Sequence, residues 1–125
     1  MEYEIIWGGD PEDVRVVTSG DASVDDLDQM TREGMADPRF REGMKILLDH
    51  SNARWWTLSN QEIRRRADLL IANSARMGRQ QIAFVVGSPV DFGIGRMLVS
   101  LVDGTPLEAD VFDSVGDARE WLRSR

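Results

Sequence analysis

The segment Gln81–Val86, QIAFVV, constrains the fold more than any other stretch of the chain. A strand with one wet face alternates polar and apolar residues. Here Ile82, Ala83, Phe84, Val85 and Val86 follow one another without a polar break. The run is far too short to span a bilayer, and Gly87-Ser88-Pro89 ends it with chain-breaking chemistry. It therefore predicts a central strand covered on both faces, as in parallel sheets flanked by helices.

The remaining segments fit around such a strand. Residues 3–7 place Tyr3, Ile5 and Trp7 on one face, with Glu2 and Glu4 on the other. Gly8-Gly9-Asp10-Pro11 reads as a turn, and the β-branched residues 14–18 return as the second strand of a hairpin. Ser23 is placed to cap a helix whose first turn carries Asp25 and Asp26. Val24, Leu27, Met30, Thr31 and Met35 then recur at helical spacing, and the helix should fade before Pro38. Residues 44–49, MKILLD, read as a buried strand, and HSNARWWTL after them has no period and reads as irregular. Ser59 with Glu62 forms a capping box, and Ile63, Ala67, Leu70, Ile71, Ser74 and Met77 predict one helix running to Gly78. A further helix is expected over residues 92–102, a last strand over 107–112, and a closing helix over Val115–Arg123 capped by Ser114. The order ββαβαβαβα argues for a single α/β domain over residues 1–125, with a mixed sheet and about four helices.

Several classes of chemistry are excluded early. The chain has no cysteine and a single histidine, His50, so thiolate chemistry and multi-histidine metal centres are ruled out, and no metal or cofactor is expected. With 22 acidic against 15 basic residues and a net charge of −7, it lacks the basic footprint of a nucleic-acid binder. The N-terminal MEYEIIWGGD has no positive stretch leading into a long apolar one, so a signal peptide is not expected and the cytoplasm is the default location.

Five pieces of the sequence together resemble a known family: LLD at residues 47–49, the helix that opens after an irregular loop, AFVV at 83–86, Phe92-Gly93-Ile94-Gly95-Arg96-Met97, and the stretch from Phe112 to Leu122. They are similar to the stage II sporulation protein AA-like group of small bacterial proteins, a STAS-like, anti-sigma-factor-antagonist-like family. The resemblance covers essentially the whole chain. It implies a STAS-like fold and a small regulatory or binding module. Antagonists of this type carry a phosphorylatable serine at a helix start. By that comparison Asp49 and Ser51 match the first half of the motif, and Thr57-Leu58-Ser59-Asn60-Gln61 stands where Asp-Ser-Ser-Gly-Leu would be expected. Ser59 is the one hydroxyl retained, and Leu58 takes the place of the first serine.

The candidate site residues each carry two readings. Asp49, His50 and Ser51 are the residue types of a hydrolytic triad, but consecutive strand residues point to opposite faces, so no catalytic residue is assigned. His50 is expected in solvent or in a hydrogen-bonded structural role. Gly93 and Gly95 either allow close helix packing or, with Phe92 and Arg96, hold an anion at a helix start. Trp55 and Trp56 include an exposed recognition anchor, or they cap the sheet edge and cover a helix end. Arg64, Arg65 and Arg66 form a positive patch for an acidic partner, or they pair with Asp25, Asp26 and Asp28. Ser59 is a helix cap or a phosphosite. The expectation is a non-enzymatic module whose working surface joins residues 50–66 to the start of the 92–102 helix, with a protein partner and a homodimer as one arrangement. The alternative is a small anionic or apolar ligand, such as a lipid, an acidic metabolite or a nucleotide phosphate, in a pocket lined by Trp55, Trp56, Phe92 and Arg96.

Overall fold

The structure, a computed structural model, describes residues 1–125. β1 (Glu2–Trp7) and β2 (Val14–Asp21) form the expected antiparallel hairpin, with a cis Asp10–Pro11 bond in the turn. β3 (Lys45–Arg54), β4 (Gln81–Val86) and β5 (Glu108–Phe112) then add in parallel, each beside the strand before it. The sheet order is β1-β2-β3-β4-β5. QIAFVV is central as the sequence required: Ile82 and Phe84 face one side, Ala83 and Val85 the other, and all are buried.

The two sides are covered unequally. α1 (Val24–Ala36), α2 (Asn60–Ala72) and α4 (Pro89–Val102) bury the first face in a cluster of 20 residues that includes Leu27, Leu48, Leu70, Phe84 and Leu98. On the second face only α5 (Val115–Arg123) lies down, through Ala118 and Leu122 against Leu47, Ala83 and Val85. That small cluster is extended by a polar fastening: Arg119 on α5 donates to both carboxylate oxygens of buried Glu12 at 2.8–3.2 Å.

Three expectations need correction. HSNARWWTL is not irregular. β3 runs on to Arg54 beside Ser19–Asp21 and then tightens into a 3-10 turn, Trp55–Thr57. A register shift opposite Thr18 sets two residues of β3 against one of β2, which breaks the alternation a sequence reading relies on. The long helix to Gly78 is two helices, because the chain leaves helical geometry at Asn73 (φ −103°, ψ 4°) before the short α3 (Ser74–Met77). The Asn73 amide donates to Leu69 O and the Ser74 hydroxyl to Ile71 O, taking carbonyls that a continuing helix would have used. The helix expected from residue 92 starts at Pro89. Ser88 caps it by accepting from the Asp91 N–H, and the proline fits the first helical position, where its missing N–H costs nothing. The helix count is therefore five rather than about four.

Candidate functional site

The carboxyl end of the sheet gathers the residues the sequence pointed to, but sorts them differently. Strand alternation turns His50 into the first face with Ile46 and Leu48 and leaves Asp49 and Ser51 on the second, where the Asp49 carboxylate accepts from the Ser51 N–H and hydroxyl at 3.1 and 2.6 Å. His50 is not in solvent. It is buried, with Nδ1 2.6 Å from Thr18 Oγ1 and its ring against Trp55 and Phe84 at centroid distances of 4.8 and 6.4 Å. Burial, reinforced by the positive charge of Arg66, pushes its pKa down to about 3, so the imidazole is neutral in the folded protein.

The tryptophans part company. Trp55 is 3% exposed, and its backbone N–H donates to Asp91 Oδ2 at 3.1 Å, tying the 3-10 turn to the first turn of α4. Trp56 is 57% exposed. The recognition reading therefore rests on Trp56 alone. Replacing Trp56 with phenylalanine should remove the largest red-shifted, acrylamide-quenchable share of the tryptophan emission, leaving the smaller share of half-buried Trp7 and Trp121, whereas replacing Trp55 should leave the quenchable emission in place.

The arginine patch is largely dismantled. Arg65 is paired within the chain, to Asp25 at 2.6 Å and Asp28 at 3.1 Å, and those partners raise its pKa. Arg66 is buried. Arg64 remains exposed, and neither it nor exposed Arg96 has a carboxylate within 4.0 Å. Ser59 is the cap the sequence described: its hydroxyl accepts from the Glu62 N–H at 3.1 Å, and Glu62 Oε1 accepts from the Ser59 N–H at 2.9 Å.

The glycines resolve into one structural and one free position. Because α4 begins at Pro89, Gly93 and Gly95 lie inside the helix, where their N–H groups belong to the helical ladder. No anion cradle forms there. A Cβ at Gly95 would stand 2.6 Å from Val111 Cγ2 and 3.7 Å from the Trp55 ring, so this glycine sets how closely α4 approaches β5. A Cβ at Gly93 would meet nothing within 4 Å. Gly95→Ala should thus lower stability by about 1–3 kcal/mol through overpacking. Gly93→Ala should raise it by about 0.5–1 kcal/mol by favouring the helix. Opposite shifts of the two melting temperatures would show this; equal shifts would refute it.

What α4 offers outward was missed in the sequence. Val90, Gly93 and Met97, at i, i+3 and i+7, form one exposed stripe of the helix, beside which Ile94 and Leu101 pack on the core. Val90 is 62% and Met97 37% exposed. Phe92 is half-buried and packs on the main core cluster, to which buried Trp55 also belongs, whereas Trp56 stays outside it. Two cavities stand out in the structure. One, of about 60 Å³, lies beneath β1 and α1. The other, of about 470 Å³, lies along β5 between α4 and α5 and includes Arg96 in its wall. No cluster of metal-ligating side chains is present.

Comparison with known proteins gives one informative likeness. No family model matches the chain, and no curated protein matches it. A crystal structure at 2.25 Å of an uncharacterized protein from the DUF3478 family with a SpoIIAA-like fold, from Shewanella loihica PV-4, is similar over 96% of this chain and 93% of that one, with a TM-score of 0.64 and 18% identity. The architecture implied by the sequence resemblance is the observed one. No helix is long and apolar enough to cross a membrane. In fold, the chain is a SpoIIAA-like, STAS-like α/β domain.

Proposed function

We propose that the protein is a non-catalytic, cytoplasmic regulatory module that binds another protein through the outward face of α4 and the neighbouring Trp56. The observation that carries this reading is the composition of α4. Its only charged residues are Asp91, which is buried against the Trp55 backbone, and Arg96. A helix already packed on a sheet usually turns charge to water, and one that turns Val90, Gly93 and Met97 outward fits an interface. Trp56 follows the residue hydrogen-bonded to Asp91, and Val90 precedes Asp91, so an aromatic anchor and an apolar stripe meet at the bond that joins their elements. Unpaired Arg64 and Arg96 favour a partner whose contact surface carries acidic residues around an apolar centre. A second copy of the chain is the second reading, because a stripe with a small residue such as Gly93 suits self-association of helices.

Photo-crosslinking from position 97, with position 117 on α5 as the control, tests this. A discrete adduct from position 97 that Trp56→Ala and Val90→Glu remove supports the reading, and its mass separates a foreign partner from a homodimer. Equal labelling from both positions sinks it.

A further inference from the structure

The cavity beneath β1 and α1 is apolar almost throughout. Ile5, Trp7, Met30, Met35, Phe40 and Leu70 are among its walls. One cation interrupts them, Arg66, which is 3% exposed. Its Nη1 donates to Thr31 Oγ1, and to Leu27 O at 3.4 Å. No carboxylate lies within 4.0 Å of it. Asp28, close enough to support the guanidinium charge, is itself hydrogen-bonded to Arg65, and its other oxygen has no partner. Burial draws the Arg66 pKa down to about 10, so the group is still charged at neutral pH. A buried charge without a direct counter-ion is costly, and here it stands in the wall of an apolar space open to the surface.

We propose that this cavity takes the aliphatic tail of a small organic acid, whose carboxylate pairs with the Arg66 guanidinium. The charge and the apolar walls each fix one half of the ligand: an anionic, planar head that accepts two parallel N–H bonds, and a short hydrocarbon chain. A volume of about 60 Å³ with an open mouth suits a short hydrocarbon chain rather than a long fatty acyl one. Arg76, lying over the Phe40 ring at 5.3 Å and free of carboxylate partners, adds positive potential beside the cavity. The site is separate from the outer face of α4, so it neither requires nor supports the protein-binding reading.

The probe is hexanoate, followed by methyl NMR of Ile5, Met30 and Met35 with Val90 and Met97 as distant controls. Saturable shifts of the first three alone are expected. Hexanol should bind roughly tenfold more weakly for want of the charge, and hexylamine not at all. Arg66→Gln should bring hexanoate down to the affinity of hexanol. Because Arg66 is buried, Gly34→Leu provides an arm that does not depend on that variant folding: Gly34 lines the cavity, a Cβ there meets nothing within 4 Å, and the larger side chain should occupy the opening and abolish binding of both compounds. Equal affinity for hexanoate and hexanol, shifts centred on Val90 and Met97, or undiminished binding to Gly34→Leu would each overturn the proposal.

Discussion

Replacing His50 with phenylalanine is expected to remove most of the protein's sensitivity to mild acid. In the unfolded chain the imidazole takes up a proton near pH 6.5, whereas in the fold burial and the charge of Arg66 hold that step down to about 3. Between the two values the unfolded state binds more protons than the folded one, so stability falls as the pH falls. The slope is about 1.4 kcal/mol per pH unit. The contribution is complete above pH 6.5 and is lost as the pH drops towards 3, a loss on the order of 4–5 kcal/mol. That approaches the whole stability of many small domains, roughly 5–15 kcal/mol. Phenylalanine keeps the ring against Trp55 and Phe84 but gives up the Thr18 hydrogen bond, so the variant should be about 1–2 kcal/mol weaker at neutral pH. Urea unfolding of both proteins at a series of pH values shows the outcome directly. Glu12 is also lost on acidification: burial works to raise its pKa, but the hydrogen bonds from Arg119 and from the backbone outweigh it and leave the pKa lowered. That loss occurs in both proteins and cancels in the comparison. Parallel stability curves for wild type and variant would show that His50 is not the responsible group.

Arg119→Met should be the most damaging single change at the surface of α5. It strips Glu12, whose side chain is 4% exposed, of three hydrogen bonds and its only ion pair. Removing one partner from a buried pair leaves an uncompensated charge, and Arg119 is itself about a third exposed, so the cost should be roughly 2–4 kcal/mol, below that of a wholly buried pair. The methionine still covers apolar surface, which separates the charge effect from lost packing. Adding Glu12→Gln to Arg119→Met should recover part of the loss, because the orphaned carboxylate is gone. Melting temperatures of the four proteins of this double-mutant cycle measure it. A double variant no better than Arg119→Met alone would show that the pair contributes little.

Much of the fold was legible because its signals are local. The Ser59–Glu62 capping box, the Ser114 cap and the unbroken apolar run of Gln81–Val86 each act within a few residues of themselves. The misreadings share a cause as well. The far half of β3 is invisible because the bulge at His50 shifts the alternation, and only pairing with β2 reveals a strand there. The start of α4 was within reach: Ser88-Pro89 is a helix-opening pair, but after an apolar strand it reads more naturally as a break.

The candidate site was less legible, because exposure depends on the partners a side chain finds. Adjacent Trp55 and Trp56 look alike in sequence, and only the bond from the Trp55 N–H to Asp91 distinguishes the anchored residue from the free one. Arg64, Arg65 and Arg66 read as one patch, yet they separate into a free, a paired and a buried residue once α1 lies beside α2. The cavity at Arg66 has no sequence signature at all, since its walls come from both strands of the hairpin, three helices and two further strands.

The strictly sequential order of the strands bears on how the chain can be built during synthesis. Every strand finds its partner in chain already made: β2 on β1, β3 on β2, β4 on β3 and β5 on β4. A nascent chain can therefore extend the sheet from one edge as it leaves the ribosome, without waiting for a later strand to be inserted between earlier ones. Covering the two faces follows a different schedule. α1, α2 and α4 are all translated before β5, whereas α5, the sole cover of Leu47, Ala83 and Val85, follows it. Until α5 docks, a growing polypeptide carries a nearly finished sheet with one greasy side bare, and that interval is when chaperone capture or self-association would compete with folding.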